Sequence, residues 1–446
     1  MPAAKFNYRT IDEFKADINK LGLNIPFSDD VSVLRKPVKI GCRFAPNSIA
    51  IQPMEGCDST LGGSPSELTF RRYKRFAAGQ AGIIWVEATA VLKEGRANPR
   101  QLFICKDNLG AFQEIIHTIK NHSGSQSPYT ILQLTHSGRY SRPVDKPAPM
   151  ICTGNPYLDK PELEYSIITD EELEQIEEKF AEAAQLSKLA GFDAVDIKAC
   201  HGYLINEFLS GFNRKGNYGG SFENRTRLLL NIVRKIRAKI KIDIAVRLNA
   251  FDEIPYAYGF GSDKKDFRKY DLNETKALVK LLISEGVSLI NITGGNPYYN
   301  PHVGRPYDRG PYIAPESQLY HIEKMINAAR EVKKEASGAV FVGSAMTWLR
   351  EYAVNVGIAA IKERFFDIIG LGRQGIAYPD FPADIIASGK MSRIKCCITC
   401  GKCTELMRAG SAAGCVIRDK DIYAPMYKKA VKTPPVQNVY IQEHIY

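Results

Sequence analysis

Long hydrophobic runs are missing from this sequence. Nowhere do about 18 apolar residues follow one another, and the opening stretch MPAAKFNYRTIDEFKADINK lacks the apolar core of a secretion signal. Both absences argue against secretion and membrane insertion, so a cytoplasmic protein with no membrane partner is expected. There is also no block of basic residues interleaved with aromatics. The net charge is +11, yet Lys and Arg are scattered through stretches such as RRYKRFAAGQ and VRKIRAKIK. Such scatter reads as solvated helix faces, so no nucleic-acid partner is expected and only a mild preference for an anionic cofactor or substrate remains. Outside one window cysteine is sparse: Cys42, Cys57, Cys105, Cys152 and Cys200 stand singly, which is not the spacing of a disulfide scaffold. A P-loop is absent as well, which weakens the open-sheet nucleotide folds.

What is present is enough for one large core plus an appendage: 446 residues, 44% hydrophobic and 24% charged. Short runs rich in β-branched residues recur at 49–53, 82–89, 130–135, 193–198, 244–249, 288–294, 339–344 and 367–372. Between them lie amphipathic segments such as TDEELEQIEEKFAEAAQLSKLAG, which opens on a capping Thr169 or Asp170 and closes on Gly191. Near-continuous apolar strands alternating with helices imply a parallel sheet, and eight such units imply a closed (β/α)8 barrel. A doubly wound open sheet is the runner-up. The expected division is an N-terminal extension over 1–37, the barrel over 38–390, and a cysteine-rich segment with a tail over 391–446.

In such a barrel chemistry gathers at the strand C-termini. The fourth strand ends in Lys198, His201 and Tyr203, three proton-handling groups within the string DIKACHGY. The connections after strands three, five and six are long and rich in Tyr, Pro and Gly, which suits a lidded pocket for a flat ligand. Gly343 and Ser344 follow strand seven, while Gly370, Gly372 and Arg373 end strand eight. Glycines at these two ends let backbone N–H groups approach a phosphate, and Arg373 supplies a bidentate contact. A phosphate-bearing cofactor is expected there.

The segments LQLTHSGR, HGYLINEFLS, YGGSFENRTRLLLNIV, VRLNAFD and GLGR together resemble the old yellow enzyme family of FMN-dependent ene-reductases, with the 2,4-dienoyl-CoA reductase-like branch most alike. The resemblance covers roughly residues 38 to 419 and itself implies a (β/α)8 barrel holding FMN at the strand ends. It places Pro53 and Met54 against the isoalloxazine, Ala88 beside it, Gln133 on the pyrimidine edge and Arg247 near N1 and O2. By the same resemblance Lys198 and His201 grip the carbonyl oxygen of an activated alkene, hydride passes from flavin N5 to the β carbon, and Tyr203 protonates the α carbon. The implied substrate is an enone or enoate; a steroid, bile acid, aryl enoate or enoyl thioester would each serve. Three places depart from the family: Lys198, Glu55 and the stretch NRKGNYGG, where many members carry an acidic residue near the glycine. Lys198 stands where histidine is common and could pair with the flavin or Asp196, and Glu55 puts a carboxylate where small or thiol side chains are common. A trimethylamine dehydrogenase-like amine dehydrogenase or demethylase shares barrel and FMN and stays open, as does a non-catalytic flavin electron-transfer subunit.

Five cysteines, Cys396, Cys397, Cys400, Cys403 and Cys415, fall close together. The spacing Cys397-x2-Cys400-x2-Cys403-x11-Cys415 suits a [4Fe–4S] cluster, with zinc as the alternative and Cys396 a possible substitute for Cys397. In the dienoyl-CoA reductase branch a C-terminal flavin and nicotinamide domain reduces this cluster. Too few residues follow Cys415 here for such a domain, so a separate flavoprotein or ferredoxin is expected to donate electrons, with NAD(P)H an indirect source.

Overall fold

The structure, a computed structural model, describes residues 4–431. Eight parallel strands close into a barrel in which each strand pairs with the next and the last returns to the first. They are β1 (Ile49–Ile51), β2 (Ile83–Ala90), β3 (Tyr129–Thr135), β4 (Ala194–Ala199), β5 (Asp243–Asn249), β6 (Leu289–Thr293), β7 (Val340–Gly343) and β8 (Ile368–Leu371). Each expected apolar run overlaps one of them, and among the described residues no doubly wound sheet forms. The surrounding ring is α1 (Glu67–Ala78), α2 (Leu109–His122), α3 (Asp170–Ala190), α4 (Phe222–Lys239), α5 (Asn273–Ser284), α6 (Gln318–Lys334), α7 (Ala353–Lys362) and α8 (Phe381–Ser388). Local chemistry sets these helices. In α3, Thr169 and Glu172 form a reciprocal capping box and Gly191 ends the helix at a left-handed φ of 95°.

Strands such as β2, β3 and β4 are buried on both faces because one face points into the barrel and the other toward the helices. Two cores result. The larger lies between strands and helices and takes in Phe14, Ile18 and Leu34 of the N-terminal segment. The smaller fills the barrel's lower interior with Trp85, Tyr129, Ile131, Leu289 and Ile368, closed below by the antiparallel pair Val38–Ile40 and Arg43–Ala45. The opposite end is left for the site. No helix among the described residues is long and apolar enough to cross a membrane.

Two features shape that open end. The β2–β3 register shifts between Val86 and Thr89, which re-aims Glu87 and Ala88 at the strand end. Glu87 then joins a buried network: its carboxylate accepts from Tyr73 Oη at 3.2 Å, Arg72 at 2.5 Å and the backbone N–H of Gly56 at 2.5 Å, while Arg72 also pairs with Asp58. This network holds the turn that carries Pro53, Met54 and Glu55. Gly56 is required by close approach, since a Cβ there would fall 2.2 Å from Nη1 of Arg72.

Candidate active site

β4 stays buried to Ala199 and the chain then reverses through His201 and Gly202, at φ 65° and 70°. A left-handed histidine costs roughly 1 kcal/mol or more; Asn249 helps hold it by accepting from the His201 backbone N–H at 3.3 Å. The reversal delivers Lys198, His201 and Tyr203 to one cleft of about 1170 Å³, where Tyr203 precedes the short helix Leu204–Leu209.

Burial, helped by Arg247 and Lys198, holds the His201 imidazole well below its ordinary value, so it is neutral. Burial, with Glu55 and Tyr298 adding to it, pushes the Tyr203 phenol well up, so it keeps its proton. The Lys198 ammonium is pulled down by burial, against the opposing effect of Glu55. Its Nζ sits 3.6 Å from Glu55 Oε1 and 3.5 Å from the centre of the Tyr203 ring. Asp196 is not its partner. That carboxylate already accepts from Trp85 Nε1 at 2.9 Å, Gln133 Nε2 at 2.6 Å and the Arg247 backbone N–H at 2.7 Å. Glu55 faces the cleft, accepting from Tyr203 Oη and Gln101 Nε2, both at 3.3 Å.

The same cleft collects Pro53, Met54, Ala88, Gln133, Arg247, Ser344, Gly372 and Arg373 from the other strand ends. Gly343 is the exception. It does not line the cleft, and its lack of a side chain is explained by Phe366, whose Cδ1 would lie 2.4 Å from a Cβ. Two features fit FMN. Arg247 Nε is buried without a hydrogen-bond partner, which suits an acceptor on a flavin ring. Arg305 and Arg373 lie together, and burial with the Arg373 charge pushes the Arg305 guanidinium down to about 10. Among the described residues neither has a carboxylate partner; Arg305 donates to Thr404 Oγ1 at 2.8 Å and Arg373 to the Pro306 carbonyl at 2.7 Å. A dianionic phosphate answers that unbalanced pair.

Cys397, Cys400, Cys403 and Cys415 line a second cavity of about 410 Å³, and Arg373 walls both cavities. Cys396 does not line it and is fully buried elsewhere. The Cys397 sulfur accepts from the Thr399 backbone N–H at 3.4 Å and the Cys415 sulfur from that of Arg418 at 3.3 Å. Burial pushes the Cys397 thiol up to about 12, and a bound cation would hold it as the thiolate. The segment is clamped to α1 by Asp419, which accepts from Arg71 at 2.7 Å and Arg75 at 2.6 Å.

Several cleft residues escape the reading from sequence. Arg305 and Tyr298 come from the loop after β6, and Thr404, Met407 and Arg408 from the helix Lys402–Arg408 behind the cysteines. Tyr298 stacks on Tyr140 with ring centres 3.6 Å apart, forming an aromatic wall. The Tyr and Arg content of that loop was the available signal; the cysteine helix offered none. Gly370, Gly372 and Gly375 also have the G-x-G-x-x-G spacing of a dinucleotide fingerprint. They lie on and after β8, between β7 and β1 of the closed barrel, and so build no separate nucleotide domain.

The profile of the NADH:flavin oxidoreductase / NADH oxidase family matches residues 33–389. The chain is 32% identical over 300 residues to an NADPH dehydrogenase of Halalkalibacterium halodurans, covering 64% of this chain and 83% of that one. A 2-naphthoyl-CoA reductase in complex with 2-naphthoyl-CoA superposes with a TM-score of 0.74 at 22% identity, over 89% of this chain and 58% of its own. Histamine dehydrogenase from Rhizobium sp. 4-9 superposes at 0.65 and 20% identity, over 87% of this chain and 53% of its own. This chain therefore spans little more than half the length of those two structures.

Proposed function

The chain belongs to the NADH:flavin oxidoreductase / NADH oxidase family, and from that premise we propose that this FMN-dependent oxidoreductase reduces the C=C bond of an α,β-unsaturated carbonyl compound. The observation that carries the reading is the convergence of an ammonium, a neutral imidazole and a phenol on one cleft beside an unpartnered Arg247 Nε. FMN, when bound by Gln133, Arg247, Arg305 and Arg373, supplies the hydride. Lys198 and the neutral His201 hold the carbonyl oxygen and stabilise the charge that grows there. Tyr203 keeps its proton until the α carbon needs it. The aromatic wall of Tyr140 and Tyr298 orients a flat substrate and excludes water.

The cleft's charge weighs against an amine substrate. Lys198, Arg247, Arg305, Arg373 and Arg408 face it, with Glu55 the one carboxylate among the described residues, and a cationic substrate would meet repulsion. Side chains aimed into the cleft weigh against a purely electron-carrying subunit. Adding enones and enoates to the photoreduced protein under anaerobic conditions tests the reading. Rapid flavin reoxidation with a gain of two hydrogens in the product is expected; indifference to the whole panel would sink it.

The second cavity supports a [4Fe–4S] cluster on Cys397, Cys400, Cys403 and Cys415, with Cys397 rather than Cys396. Four of the cysteines share one cavity while Cys396 is buried outside it, and zinc, whose usual sites use two separated C-x2-C pairs, is the alternative. The cluster would supply single electrons to the cleft across the shared Arg373 wall, and a separate flavoprotein or ferredoxin docking near 396–415 would load it, with NAD(P)H the indirect source. Iron and sulfide analysis checks the cluster. Stopped-flow mixing with NADPH checks the donor, since fast direct reduction removes the need for a partner.

A further inference from the structure

Away from the cleft, three side chains converge that neither the flavin nor the cysteines explain. His302 lies in the single-turn helix Pro301–Gly304, Glu316 just before α6, and His321 within its first turn. Their ligand atoms all lie within 4.8 Å of one another, and both histidines are buried. We propose that His302, Glu316 and His321 form a site for a first-row divalent cation, Zn²⁺ above all, that staples the loop after β6 to α6.

The separations suit such an ion. Both Nε2 atoms face Glu316 Oε2, at 3.8 Å for His302 and 3.3 Å for His321. Ligands of a tetrahedral zinc with bonds of about 2.0–2.1 Å stand about 3.3–3.4 Å apart, so both histidine–carboxylate separations lie within about half an ångström of that spacing. Without an ion the arrangement is poorly satisfied. Two buried imidazoles aim at one carboxylate oxygen, and the longer contact exceeds hydrogen-bond range. A cation at the shared point satisfies both Nε2 lone pairs and the carboxylate together.

The surroundings prepare the ligands. His302 is buried within the cluster. Its Nδ1 lies 2.6 Å from Tyr312 Oη, which fixes the ring, the usual role of a partner behind a metal-bound histidine. Lys324 is the nearby cation, but its ammonium is engaged by Glu253 and the Arg268 carbonyl, and Arg268 is paired with Asp266 at 2.9 Å. Glu316 therefore remains free to neutralise an ion. Beside His302 and Glu316 a small pocket leaves room for about one water as fourth ligand. Because the stapled loop carries Tyr298 and Arg305 into the cleft, the ion would also steady the substrate wall.

The test uses anaerobically purified holoprotein with FMN bound and the cysteines occupied by iron. After treatment with a chelator, it is titrated with Zn²⁺ against a chromophoric competitor, and separately with Co²⁺. One tight equivalent is expected, with cobalt bands free of thiolate charge transfer. His321→Ala should abolish that equivalent and Glu316→Gln should weaken it at least about tenfold, with iron and FMN content unchanged. If His321→Ala does not fold, Glu316→Gln decides, because its side chain is 39% exposed. No tight equivalent, a thiolate band, or wild-type affinity in the variants would overturn the site.

Discussion

The cleft and the cysteine cavity share Arg373 as a wall but are assembled in opposite ways. Around the cleft, Met54, Ala88, Gln133, Lys198, Arg247, Ser344 and Gly372 lie on or just after different strands and meet only because the barrel closes. Around the cysteine cavity the four sulfurs come from residues 397–415, and the barrel contributes mainly Arg373 and Ile376. In the cleft the working side chains are held by partners from other strand ends, Glu55 facing Lys198 and Tyr203 and Asn249 accepting from the His201 backbone. The cysteine segment is held from outside, its Asp419 by Arg71 and Arg75 of α1 and its Thr399 carbonyl by the Asp308 backbone N–H at 3.3 Å. A site built by closure tolerates little local change, whereas a docked site can be lost alone.

That separation gives the largest expected effect. Cys403→Ser should take iron and sulfide to background and abolish reduction by an electron-donating protein, while photoreduced flavin still reoxidises with an enone near the wild-type rate. An equal loss in both assays would show that the two regions are one unit. Next in size, Tyr203→Phe should slow flavin reoxidation by about 10²- to 10⁴-fold with iron content unchanged; a wild-type rate would place the acid elsewhere. Lys198→Met should cost about 10²-fold and change the pH profile. The Lys198 pKa is lowered, so its proton is lost as pH rises through that value and the carbonyl grip weakens. Activity should fall at a lower pH than an ordinary lysine would give, and the variant should lack that limb. Smallest is Asp419→Asn, at about 1 kcal/mol or less because the pair to Arg71 is 37% exposed on the arginine side. Melting curves should barely move, and a large drop would make the clamp part of the barrel's own stability.

The barrel was legible because each strand is a short apolar run and each helix carries its own caps, as Thr169 and Gly191 do for α3. Lys198, His201 and Tyr203 were legible as a local cluster, and their roles came from a resemblance. Arg305 was not, because nothing near it in sequence shows that its guanidinium will lie against Arg373. Gly343 looked like phosphate chemistry, yet it answers to Phe366, twenty-three positions away in the chain. Cys396 and Cys397 could not be told apart by spacing, since adjacent residues differ only in which way the turn points them.

The sequence by itself determined the alternation of strands and helices, the closure into a barrel, the strand-end cluster and the cysteine spacing, because periodicity, caps and motif spacing are local properties of the chain. Only the tertiary structure decided that Glu55 rather than Asp196 faces Lys198, that Cys397 rather than Cys396 lines the second cavity, and that His302, Glu316 and His321 meet. Those outcomes depend on which side chains burial brings together, and burial is a property of the closed fold.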